Sequence, residues 1–278
     1  MAIKDLAISY NGSVNADTAL CMAVKMCKKY QAMLTGLYVS APIHFEGKIE
    51  RWISSDTLND LQDAEDKLAS SIRETFLARV AEAGHEGEVE WLQERGRPTE
   101  VLTRRSRFFD LLLMGQQSSI DGKKAHIRAE EIVTRSGRPL IIVPNGYECR
   151  DFTEYAVVAW DGRRAAARAL MDAMQILETK KRLDVVTVAN DQAEAETDLV
   201  EGATIVRHLK RHGIDARRIV LQTSREGKGS ALLEYCKEHR PDVLVTGAYG
   251  HSRLREDLFG GVTRHIMQEM NVPVFVSH

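Results

Sequence analysis

The chain repeats itself, and no other feature of its sequence restricts its possible folds as much. Leu6-Ala7-Ile8-Ser9-Tyr10-Asn11-Gly12-Ser13 aligns with Ala156-Val157-Val158-Ala159-Trp160-Asp161-Gly162-Arg163 at an offset of 150 residues, and Ala19-Leu20 aligns with Ala169-Leu170 at the same offset. Further on, Asp110-Leu111-Leu112-Leu113-Met114-Gly115 matches Asp242-Val243-Leu244-Val245-Thr246-Gly247, and Arg138-Pro139-Leu140-Ile141-Ile142-Val143 matches Val272-Pro273-Val274-Phe275-Val276-Ser277. A tandem duplication uses one structural unit twice, in the same order.

Each copy reads strand, helix, strand, helix, strand, helix, strand, helix, strand. Strands are expected near 4–10, 33–39, 87–92, 110–114 and 139–143, and again near 154–160, 183–189, 217–222, 241–246 and 273–277. Apolar strands separated by helical segments imply a parallel sheet covered on both faces. Ala19, Met22, Ala23 and Met26 form a stripe at helical spacing, as do Leu170, Met174 and Leu177; these are core faces. Leu58, Leu61, Ala64, Leu68 and Ile72 also fall in a helical pattern. The fold class expected is α/β, with two tandem doubly wound domains, each a five-stranded, mainly parallel sheet flanked by helices. With 278 residues there is room for two ordinary domains, placed at 1–147 and 152–278 around the polar linker Glu148 to Thr153. Pro42 to Ser55, with Phe45 and Trp52, reads as a loop.

Composition narrows the function. A formal net charge of −2 and a pI near 6.5 leave no basic excess for neutralising a nucleic-acid backbone. The longest apolar runs are strand-length, so no membrane span is expected. The start, Met1-Ala2-Ile3-Lys4-Asp5, has no apolar signal core, and a cytoplasmic protein is expected. Cys21, Cys27, Cys149 and Cys236 form no C-x-x-C pair, and all four read as small buried apolar residues. His208 and His212 have zinc-like spacing but no third ligand in the pattern.

The chemistry-bearing motif follows the apolar run Val243-Leu244-Val245. Gly247-Ala248-Tyr249-Gly250 is followed, after nine residues, by Gly260-Gly261-Val262-Thr263. Glycines after a strand and before a helix let the backbone lie against a ligand, while amides at the helix start face an anion. Glycines also close ordinary strand-to-helix turns. Gly227-Lys228-Gly229-Ser230 lacks the earlier glycine of a P-loop, and reads as the turn starting a helix, mirrored by Gly96-Arg97-Pro98-Thr99. No nucleophile elbow or two-metal carboxylate set is evident.

The repeat, the Asp161-Gly162 pair after the first strand of the second copy, and the spaced glycines together resemble the universal stress protein family in its tandem two-domain form, over essentially the whole chain. The resemblance implies the adenine nucleotide alpha hydrolase-like fold and a site for ATP or a related adenine nucleotide, with or without Mg2+. The family motif G-x2-G-x9-G-[S/T] is met by Gly247, Gly250 and Gly260, but Gly261 stands at the hydroxyl position and Thr263 lies two residues on. By the same resemblance Asp161 accepts the adenine amino group, although Asp-Gly is also a common turn and N-cap pair.

Asp161 and Gly247 are expected to converge at the switch in strand order, flanked by Ala159, Trp160, Ala248 and Val188, with Val186 and Thr187 as further lining or plain core. His251, Arg253 and Arg255 would hold phosphate or stand as solvated loop charges. The first copy departs from the motif. Ser118 takes the place of the second glycine, Ala125 to Glu131 has none, Glu130 and Glu131 would repel phosphate, and Asn11 replaces the aspartate, so ordinary ATP binding is expected only in the second copy. The family resemblance also implies association through last strands, pairing Leu140 to Val143 with Val274 to Ser277 as an internal pseudo-dimer, with a homodimer as a further option. Three functions remain open: a nucleotide-binding regulator of the stress response, a slow ATPase, or a ligand-free interaction module.

Overall fold

In the computed structural model, residues 3–41, 54–117, 127–150, 152, 154–191, 203–248 and 261–278 are described. The expected loop at Pro42 to Ser55 lies almost wholly outside them. Ten strands form one sheet in the order β3-β2-β1-β4-β5-β10-β9-β6-β7-β8. The first copy contributes β1 (Asp5–Ser9), β2 (Met33–Ser40), β3 (Val89–Arg95), β4 (Leu111–Gly115) and β5 (Leu140–Val143). The second contributes β6 (Tyr155–Ala159), β7 (Arg182–Ala189), β8 (Ala216–Gln222), β9 (Val243–Gly247) and β10 (Val274–Ser277). Every pairing within a copy is parallel.

The copies join through the last strand of each. β5 and β10 run antiparallel, with Ile142 opposite Val274, Ile141 opposite Phe275 and Leu140 opposite Val276. The expected meeting of these strands thus makes a single sheet. Both strands are buried along their whole length, as apolar runs without alternation require.

Alternate residues send side chains to opposite faces. Leu6, Ile8, Leu113, Ile141, Val158, Val245 and Phe275 pack under α1 (Val14–Tyr30), α2 (Ser55–Glu82), α5 (Arg164–Leu177) and α6 (residues 203–211). Ala7, Leu112, Leu140, Val157, Leu244 and Val274 pack under α3 (Pro98–Arg105), α4 (Ala129–Ser136), α7 (Lys228–His239) and α8 (Gly261–Glu269). Each buried Leu, Ile or Phe in these layers contributes about 1.5–3 kcal/mol relative to exposure. Among the described residues no helix is long and apolar enough to cross a membrane.

Two readings from sequence need correction. β3 ends at Arg95 rather than near 92, because it is an edge strand whose charged residues find partners: Glu94 pairs with Arg104 and Arg105, and Arg95 with Asp66. Cys21 and Cys149 are joined in a disulfide, their Cα atoms 6.2 Å apart across a sequence separation of 128; a pairing that distant leaves no local trace in sequence. Cys27 and Cys236 are buried free thiols, pushed up to about 12 by burial.

The segment between the copies is not a solvated spacer. Phe152 is buried, its carbonyl accepts a hydrogen bond from Lys29 Nζ at 2.8 Å, and Lys180 Nζ stands 3.6 Å over its ring.

Candidate functional site

In the second copy the chain runs outward from β6 to β7 and β8, then returns to place β9 and β10 on the other side of β6. The strand order therefore switches between β6 and β9, where Val158 lies opposite Val245. A crevice beyond the carboxyl ends of these two strands is where a doubly wound sheet binds ligands. Three groups of expected residues lie at the carboxyl ends of neighbouring strands here: Ala159-Trp160-Asp161 at and after the end of β6, Val188 near the end of β7, and Gly247-Ala248 at the end of β9. Gly250, His251 and Gly260 lie outside the described residues, as do Arg253 and Arg255.

Asp161 is exposed, and its Oδ1 accepts the Arg163 amide at 3.0 Å around Gly162, whose φ is +70°. Asn11 makes the same turn in the first copy, accepting the Ser13 amide at 3.1 Å around Gly12 at φ +75°. Both are side chain-to-backbone turns that set the entry to a helix. Trp160 continues the strand geometry, its amide donating to Val186 O at 2.9 Å. Trp160 Nε1 and Thr187 Oγ1 are buried without a hydrogen-bond partner among the described residues. Val188 is 7% exposed and belongs to the face covered by α7.

Gly247 has a packing reason. A Cβ there would lie 2.4 Å from the Ala165 carbonyl carbon and 2.7 Å from the Ala166 amide, both in the first turn of α5. Gly115 meets Asn15 in α1 in the same way. The glycine after the fourth strand of each copy thus lets a helix start press against the sheet. Ala248 is held on both sides, its amide donating to Ser277 O at 2.7 Å and its carbonyl lying 2.9 Å from His278 Nδ1.

At the start of α8, Gly261 and Val262 are exposed, and among the described residues nothing lies within 4 Å of a Cβ built on Gly261. Thr263 is buried and donates its hydroxyl to Gly247 O at 3.3 Å. That bond moors the first turn of α8 to the end of β9. It also commits the hydroxyl nearest to the position where Gly261 lacks one.

The corresponding crevice in the first copy is lined differently. Where the second copy has Ala165 and Ala248, the first has Asn15 and Gln116. Asn15 Nδ2 donates to Gln116 O at 3.1 Å. The Gln116 side chain reaches into the second copy, donating to Met267 O at 3.1 Å and Gln268 O at 3.0 Å, and accepts the Asn145 amide at 3.2 Å. The remaining cleft, lined by Ser9, Asn11, Asn15 and Gln117, holds about 20 Å³. Glu131 in the first turn of α4 is occupied by Arg128 and Arg135.

Sequence reading missed two features. One is the bridge made by Gln116, which only the substitution of an amide for Ala248 foreshadows. The other lies at the opposite end of the strands, where fully buried Asp184 accepts hydrogen bonds from Tyr155 OH, Tyr235 OH, Arg182 and Arg217 at 2.6–3.1 Å. Burial by itself would raise its pKa, but the bonds from Arg217, Arg182, Tyr155 and Tyr235 outweigh it and hold the carboxyl well below its usual range. Its signal is a carboxylate inside the apolar run Leu183-Asp184-Val185. His208 and His212 stand with rings 4.8 Å apart, and no group of three metal-ligating side chains occurs among the described residues.

Residues 155–278 match the model of the universal stress protein family. A universal stress protein of Synechocystis sp. is 22% identical over 291 aligned residues, covering 98% of this chain and 99% of the relative. A universal stress protein of Archaeoglobus fulgidus shares the fold with a TM-score of 0.75 at 17% identity, covering 98% and 97% of the two chains. A functionally unknown protein of Pseudomonas aeruginosa does so with a TM-score of 0.58 at 15% identity, covering 99% and 92%. The second copy thus matches the universal stress protein family model, and the chain is similar over nearly its full length to a universal stress protein.

Proposed function

We propose that the protein is a stress-response regulator that binds ATP or a related adenine nucleotide in its second copy, at the crevice between β6 and β9. The supporting observation is the contrast between two crevices of identical topology. The second carries the small residues Ala165 and Ala248 near Asp161, whereas the first carries Asn15 and Gln116 at the corresponding positions. Asp161 would read the adenine amino group, Val188 would supply apolar contact, and Gly250, Gly260, Gly261 and the α8 amides would face the phosphates. Mg2+ would accompany the phosphates.

Asp161→Asn tests this cleanly. Asn11 already shows that an asparagine sustains the same turn, so the variant should fold as the parent does while losing the carboxylate. Calorimetric titration with ATP is expected to show about 10–100-fold weaker binding, the worth of a hydrogen bond to a charged group. Unchanged affinity would remove Asp161 from the site. Gly250→Val is expected to abolish binding with the circular dichroism spectrum unaltered, and no binding by the parent protein would leave the interaction module as the function.

A further inference from the structure

The four cysteines fall into two classes. Cys27 and Cys236 are 1% and 0% exposed, held as thiols by burial and chemically inert. Cys21 and Cys149 are each half-buried, and the fold brings their Cα atoms to 6.2 Å, a separation a disulfide spans without backbone movement. Lys25 lies one turn along α1 from Cys21, and its Nζ donates to Cys149 O at 3.3 Å. A cation beside a cysteine pair favours the thiolate, the form that exchanges.

Cys149 belongs to the stretch from Pro144 to Arg150 that forms one wall of a cavity of about 480 Å³. Lys237 and Arg240 at the end of α7, and Met270 and Asn271 after α8, form the opposite wall. The disulfide therefore fastens this wall, and the segment joining the copies, to α1. Other ties would keep the segment near its place without the bond: Lys25 on Cys149 O, Lys29 on Phe152 O, and the Phe152 ring beneath Lys180. A pair held close in both states is suited to repeated opening and closing.

We propose that Cys21 and Cys149 are a reversible thiol–disulfide pair that fastens and releases the segment between the two copies. In closing, one cysteine thiolate attacks a small-molecule disulfide and expels one thiolate, forming a mixed disulfide. The second cysteine then attacks the protein sulfur of that intermediate and expels the other half. Two electrons pass to the small disulfide, and the two cysteine protons end on the two thiols released. A dithiol reductant reverses the sequence.

The test uses the full-length folded protein. After native treatment with dithiothreitol, iodoacetamide is expected to label Cys21 and Cys149 but not Cys27 or Cys236, as read by peptide mass spectrometry, and oxidised glutathione should abolish that labelling. Trypsin should cut after Arg150 severalfold faster in the reduced protein than in the oxidised one. Cys21→Ser and Cys149→Ser should each show the fast rate whatever the redox state. Failure of native reduction to expose Cys149 would make the bond a permanent staple and overturn the proposal, as would failure of glutathione disulfide to reform it. Equal cleavage at Arg150 in both states would overturn the release.

Discussion

Gly247 and Gly261 belong to one motif in sequence yet do different physical work. A Cβ on Gly247 would sit 2.4 Å from backbone of α5, whereas one on Gly261 would meet nothing among the described residues. Gly247→Ala is therefore expected to cost about 1–3 kcal/mol of stability by overpacking, and Gly261→Ala to stay within about 0.5 kcal/mol, as measured by urea denaturation. Spacing alone could not separate the two, because a glycine required by a neighbouring helix and one required by a ligand look the same in a single sequence. Asp161 was legible as a turn residue and as a candidate reader of adenine; the structure displays the turn, and the nucleotide titration decides the rest. Lys180 is fully buried, and burial pushes its ammonium down to about 8 although Asp242 lies at 2.8 Å. The unfolded chain then binds more protons between pH 8 and 10, so stability should rise with pH across that window, Lys29 adding to it through its own lowered pKa. Lys180→Met should flatten this slope in denaturation midpoints taken at successive pH values.

The strands were readable because each is a short apolar run bounded by polar residues, and most fell within two or three residues of expectation. The edge strand β3 was the poorest, since one flank faces solvent and alternation with charge blurs its end. The cluster around Asp184 ties β6, β7, β8 and α7 together, and the sign of its pH effect follows from its depressed pKa. Its contribution is complete above the unfolded carboxylate value of about 4 and is lost as the pH falls towards the folded value. Asp184→Asn should lower the thermal midpoint at pH 7 and flatten the acid limb of the stability profile. Asp184→Ala should cost about 3 kcal/mol or more, because two arginines and two buried hydroxyls lose their acceptor. No pattern in the sequence announces which arginines meet Asp184, for they come from two strands that neighbour each other only once the sheet is built.

The junction of β5 with β10 makes the ten strands one hydrogen-bonded body. Phe275 is 1% exposed and lies opposite Ile141. Phe275→Ala should cost about 3–5 kcal/mol and accelerate amide hydrogen exchange in β4 and β5 as well as in β9 and β10. Faster exchange confined to the second copy would show that the halves do not share stability. The tandem order of elements was plain from the repeat, whereas the contacts of Gln116 with α8 and of Cys21 with the segment between copies were hidden, since each depends on how one copy is set against the other.

The antiparallel seam also bears on heredity. When two identical chains pair through their last strands, every mutation strikes both crevices together. Here the two crevices are encoded separately, so one can hold Asn15 and Gln116 while the other holds Ala165 and Ala248. A change in the grip of Gln116 on α8 therefore leaves the residues of the other crevice as they are.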